Sequence, residues 1–69
     1  MKIGRNCKIE RMAYIPPLMV IEDGVFVGPY VIFTNDPYPM SRKMVGVYIE
    51  SGAVICAGAV LKAGVRFWL

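Results

Sequence analysis

The chain has 69 residues, 57% of them apolar, with eight Lys or Arg, five Asp or Glu, no His and a net charge of +3. This makes one small domain, residues 1–69, of a size that buries only about 60% of its unfolded surface and leaves the core marginal. The positive charges form no run and no basic helix, which argues against nucleic-acid binding, and no signal peptide or apolar run of membrane-spanning length is visible, so the cytoplasm is the expected location.

Large apolar residues fall every six positions, at Ile3, Ile9, Ile15, Ile21, Val27 and Phe33, then again at Ile49, Ile55, Leu61 and Phe67. Ten hits in ten would arise by chance about once in a few thousand trials, so the beat is real. A period of six is neither helical nor that of a plain strand. It is one face of a coil made of three short strands with a corner after each, the hexapeptide solenoid or parallel β-helix.

Other columns of the repeat agree. Four positions after the apolar residue stand Cys7, Ala13, Met19, Val25, Val31, Ala53, Ala59 and Val65, small except for Met19. Three positions after it stand Asn6, Gly24, Gly52, Gly58 and Gly64, residues that accept a left-handed backbone cheaply, as a sharp corner requires.

Taken in chain order, residues 3–20 form a first coil, 21–38 a second and 49–66 a third. Ile3 is expected over Ile21 and Ile9 over Val27. Pro16 and Pro17 remove donors from the ladder, so the first coil is expected to be the least regular. Between Phe33 and Ile49 the phase jumps by sixteen, and Pro37, Pro39, Ser41, Arg42 and Lys43 mark an inserted loop over about 37–48. Whether 44–48 rejoins the sheet is left open by the pattern. Cys7, in the small-residue column, reads as packing, and neither Cys7 nor Cys56 has the spacing of a disulfide framework.

These hexads, Ile21 to Phe26 (IEDGVF), Val27 to Ile32 (VGPYVI) and Ile49 to Val60 (IESGAVICAGAV), resemble those of the left-handed β-helix acyltransferases. The segment Phe33 to Pro39 (FTNDPYP), followed by Met40, Ser41 and Arg42, is similar to the FTND-x-YPRS loop of sugar N-acetyltransferases acting on nucleotide-linked amino sugars. The likeness spans nearly the whole chain, though family members carry further coils and a closing cap. It implies an all-β, left-handed parallel β-helix of about three turns, a homotrimer, acetyl-coenzyme A in a groove between subunits, and an amino-sugar acceptor near the loop.

Many members of that family use a histidine base, which this chain lacks, and no Cys and carboxylate cluster has metal spacing, so no metal is expected. The resemblance makes Asn35 and Asp36 the candidate catalytic pair, Asn35 orienting the amine and Asp36 accepting a proton or holding the loop; a simple turn capped by Asp36 explains them equally. An amine acceptor with a pKa near neutrality needs little base assistance. Ala57, Gly58 and Ala59 offer a close backbone approach to the pantetheine arm, with Lys62 and Arg66 for phosphates, and Tyr38, Arg42 and Lys43 for the acceptor nucleotide. Solvated corner charges and, for Tyr14, Tyr30, Tyr38 and Tyr48, interface packing are the plainer alternatives. A non-catalytic trimerisation module, or a regulatory domain contacting another protein, fits the same repeat.

Overall fold

The computed structural model describes residues 1–37 and 39–67; Tyr38, Trp68 and Leu69 lie outside them. The described residues are all-β, with no helix. Nine two-residue strands run β1 Lys2–Ile3, β2 Lys8–Ile9, β3 Val20–Ile21, β4 Phe26–Val27, β5 Ile32–Phe33, β6 Tyr48–Ile49, β7 Val54–Ile55, β8 Val60–Leu61 and β9 Arg66–Phe67. Each successive strand joins a different sheet, giving a first sheet in the order β1-β3-β6-β9, a second β2-β4-β7 and a third β5-β8. All pairings are parallel, an arrangement compatible with a β-helix solenoid.

The register is the one the six-residue beat implies: Ile3 pairs with Ile21 and Ile9 with Val27. Above them Ile21 pairs with Ile49, Val27 with Ile55 and Phe33 with Leu61. The lower offset is eighteen residues and the upper one twenty-eight, so the loop inserts ten residues without disturbing the stack. In the first coil the third side is reduced to a single bridge, Tyr14 to Ile32, where Pro16 and Pro17 follow.

Two columns fill the interior. Ile21, Val27, Phe33, Ile49, Ile55 and Leu61 come from one, and Met19, Val25, Val31, Val47 and Ala53 from the other. Each hexad thus sends two apolar side chains inward, which is why the chain needs so high an apolar fraction for so narrow a core.

The corners have the left-handed backbone expected at Asn6 (φ 58°), Gly24, Gly52, Gly58 and Gly64. Met12, Leu18 and Tyr30, in the same column, adopt it too, at φ 62°, 73° and 60°. Such a conformation costs a residue with a Cβ about 1–2 kcal/mol. The ladder imposes it: Tyr30 N–H donates to Arg11 O at 3.1 Å, as Gly24 N–H donates to Arg5 O and Gly58 N–H to Pro29 O. Corner geometry follows the stacked rungs rather than the residue type.

The loop is shorter than the sequence spacing suggests. Val45 N–H donates to Asn35 O at 2.8 Å, Val20 N–H to Val47 O and Gly64 N–H to Gly46 O, so the chain is back in the ladder at Val45. Residues 36–44 form the excursion, and the second coil ends at Asn35. Gly46 is required here because a Cβ would fall inside the Leu18 carbonyl.

Candidate functional site

The point where the loop leaves the stack is built by the floor beneath it. Tyr14 and Ile32 are paired on the outer face of the third sheet, and both are exposed. Thr34 N–H donates to Leu61 O, and Thr34 Oγ1 accepts Ala63 N–H at 3.0 Å, fixing the corner that carries Lys62. Pro37 and Pro39 stand beside this floor. Together with Asn35, Asp36 and Lys62 they enclose a cleft of about 360 Å3.

Both candidate catalytic side chains are held. Asn35 Nδ2 donates to Pro17 O at 3.3 Å, eighteen residues back in the rung below. The Asp36 carboxylate accepts the Ser41 N–H at 3.2 Å and the Ser41 hydroxyl, so it anchors the excursion five residues on. Ser41 Oγ also lies 3.0 Å from Lys43 O, and its one proton serves one acceptor at a time. Through these bonds Asp36 holds the loop, one of the two roles expected for it. Lys62 is exposed and forms no ion pair among the described residues.

The other expected site residues fall elsewhere. Ala57 and Gly58 are exposed at the corner between the second and third sheets, but Gly58 N–H already donates to Pro29 O and Ala59 N–H to Cys56 O. Arg42 and Lys43 are exposed on the loop. Tyr38 is outside the described residues. Arg66 does not join Lys62: it stands on β9 in the first sheet, its Nε 2.6 Å from Glu50 Oε2 and its guanidinium 4.4 Å above the Tyr48 ring. Arg66 follows Lys62 by four positions, enough to carry the chain past a corner to the next sheet.

A polar cluster around Arg66 has no counterpart among the sequence expectations, in which Tyr48 is given only interface packing as its plainer alternative. The Tyr48 hydroxyl donates to Glu22 Oε2, and Ser51 N–H donates to Glu22 Oε1 at 2.9 Å. The Tyr48 bond first, then that of Ser51, holds the Glu22 carboxyl below the usual carboxylate range; the same bond to Glu22 pushes the Tyr48 hydroxyl up. The signal that would have found it is the twenty-eight-residue offset, which sets Glu22 over Glu50 and Val20 over Tyr48. Tyr14 was likewise missed as a wall of the cleft, since only the bridge to Ile32 brings it there.

Comparison with protein-family models, with curated proteins and with solved structures gives no match. No helix among the described residues is long and apolar enough to cross a membrane.

Proposed function

We propose that this chain is a left-handed parallel β-helix of the hexapeptide-repeat acyltransferase class, moving an acetyl group from acetyl-coenzyme A to an amino group of a sugar or nucleotide-linked sugar. The observation that carries the reading is the cleft at the loop neck, where Asn35, Asp36 and Lys62 converge over Tyr14 and Ile32. A volume of about 360 Å3 is at the small end of the range for small-molecule sites, roughly 300–1000 Å3.

In this reading the amine nitrogen attacks the thioester carbonyl, the carbon–sulfur bond breaks, and the proton lost by nitrogen ends on the thiol. Asn35 has the orienting role. With Nδ2 donating to Pro17 O, its Oδ1 is the end that accepts an N–H from the incoming amine and turns the nitrogen lone pair toward the carbonyl. Asp36 supports it indirectly by fixing the excursion through Ser41. The free ammonium of Lys62 is suited to a phosphate of the cosubstrate, and the side-chain-poor surface of Ala57 and Gly58 to its pantetheine arm. Arg66, engaged by Glu50, is left out of that role.

A homotrimer belongs to the same reading. On the outer face of the third sheet Tyr14, Ile32 and Val60 stand one above another, 58%, 43% and 61% exposed, an uncharged stack suited to contact with a neighbouring copy. That stack also favours the second reading, a trimerisation module without chemistry. The discriminating experiment follows the mass of amino-sugar acceptors, free and nucleotide-linked, incubated with the protein and acetyl-coenzyme A. Acetylated product that depends on Asn35 supports transfer. A stable oligomer giving no product with any acceptor supports the module.

A further inference from the structure

The cleft at the loop neck runs across three coils, and each brings it something different. Tyr14 comes from the first, Asn35 from the second and Lys62 from the third. Strands stack at about 4.8 Å, so the rungs of Tyr14 and Lys62 lie roughly 10 Å apart with that of Asn35 between them. The third-coil side carries the features suited to the cosubstrate, the exposed cation of Lys62 and the exposed corner of Ala57 and Gly58. The first-coil side brings neither cation nor carboxylate, only the Tyr14 ring.

Tyr14 is fixed there by sequence and ladder together. Pro16 and Pro17 have no N–H to give, and the third side of the first coil keeps one bridge, Tyr14 to Ile32. Tyr14 uses both of its backbone groups there: its N–H donates to Val31 O at 2.8 Å, and its carbonyl accepts Phe33 N–H at 3.2 Å. This pairing sets the side chain outward beside Ile32, where it is 58% exposed and forms a wall of the cleft. Three positions on, Pro17 O accepts the Asn35 side chain at 3.3 Å. The first coil thus supplies an aromatic face and the bond that orients Asn35, and Pro37 and Pro39 add apolar surface to the same cleft.

We propose that Tyr14 is the acceptor platform: a C–H face of the amino-sugar ring lies on its aromatic face, with the amine at Asn35. The class of acceptor rests on the acyl-transfer reading above. An aromatic face is electron-rich and attracts the polarised C–H groups of a sugar, whose equatorial hydroxyls point sideways into water. A ring face with an axial hydroxyl would bury that group without a partner, so Tyr14 selects sugars that have one face of hydrogens alone. At about 360 Å3 the cleft holds one such ring with its amine, and a nucleotide joined to it lies outside. The sugar enters on the first-coil side and the thioester on the third-coil side, and the two meet at Asn35.

The test separates sugar binding from acetyl transfer. Saturation-transfer NMR is recorded with methyl β-glucosaminide, whose axial protons alternate between the two ring faces, on wild type, Tyr14→Phe and Tyr14→Leu. Leucine keeps an apolar side chain in the outer stack and removes the aromatic face; light scattering checks the oligomer size, and Tyr14→Ile serves if leucine alters it. Saturation is expected mainly on the axial protons of one face in wild type and Tyr14→Phe. In Tyr14→Leu the sugar Kd should rise about tenfold, with affinity for acetyl-coenzyme A unchanged. Equal sugar affinity in wild type and Tyr14→Leu, even saturation of both faces, or no saturation in wild type overturns the proposal. In the acetylation assay Tyr14→Leu should raise the acceptor KM about tenfold at unchanged kcat. Tyr14-dependent binding without acetylated product upholds the platform and overturns the transfer reading, whereas product formed by Tyr14→Leu with the wild-type KM does the reverse.

Discussion

Val45 N–H donates to the carbonyl of Asn35 at 2.8 Å, so one peptide bond on each side of a nine-residue excursion meets its neighbour and the stack continues as if the loop were absent. The same residue sends its side chain to Pro17 O in the rung below. Asn35 therefore ties the loop neck to two coils through two different groups, and only the side-chain tie can be removed by mutation.

Asn35→Ala should leave the fold intact, because the neck bond uses the backbone. Loss of one exposed amide hydrogen bond costs about 1 kcal/mol, which for a domain of this size lowers Tm by roughly 4–8 °C. Transfer to an amino sugar should fall by at least about tenfold at unchanged oligomer size, as orientation is lost. Thermal melts and product mass spectra on the same preparation check both. Unchanged turnover removes Asn35 from the site.

Ile55→Asp should unfold or dissociate the protein. Ile55 is 2% exposed among Val27, Ala53 and their neighbours, with no buried polar side chain among the described residues to receive a carboxylate. The cost, at least about 4 kcal/mol, is comparable with the whole stability of a chain this short, roughly 3–10 kcal/mol. A retained thermal transition and assembly state would contradict the inward assignment of the repeat.

Gly46→Ala and Gly24→Ala separate two uses of glycine. At Gly46 a Cβ meets the Leu18 backbone, which cannot yield without opening the stack at the loop's return. At Gly24 the space is open and only φ, +67°, opposes a side chain. Gly24→Ala should cost about 1 kcal/mol, the ordinary left-handed penalty. Gly46→Ala should cost several times more in chemical denaturation; equal losses would mean the close approach at Leu18 is unimportant.

The Glu22 and Tyr48 pair sets a pH window. Glu22 has its carboxyl held below its ordinary value of 4.5, so its contribution is full above that pH and is lost as pH falls through the lowered folded value. Tyr48 is pushed above 10.0, so its contribution is full below that pH and lost as pH rises through the raised folded value. Tyr48→Phe should flatten both flanks of a plot of Tm against pH. Flanks unchanged in the variant would remove the pair from the pH response.

Much of this architecture is legible in the residues. The beat from Ile3 to Phe67 gives the rungs and their register, because burial allows only one phase of a two-column interior. The glycines and Asn6 mark corners, yet Met12, Leu18 and Tyr30 were invisible there, since stacked hydrogen bonds override what a side chain would choose locally. The break after Phe33 located Asn35 and Asp36. It could not show that Val45 rejoins the ladder, because the anchor is a backbone bond to Asn35 with no sequence signature. Lys62 joined the site through the Phe33 to Leu61 pairing, whereas Arg66 turned the corner to meet Glu50, a difference that four residues of sequence do not reveal.

The most direct test of the acyltransferase reading is calorimetric titration of the purified protein with acetyl-coenzyme A, its oligomer state fixed by light scattering on the same sample. Saturable binding near one per protomer in a trimer, weakened by Lys62→Ala and unaffected by Arg66→Ala, is the expected result. A well-folded oligomer that takes up no acetyl-coenzyme A would contradict it and leave the chain an assembly module.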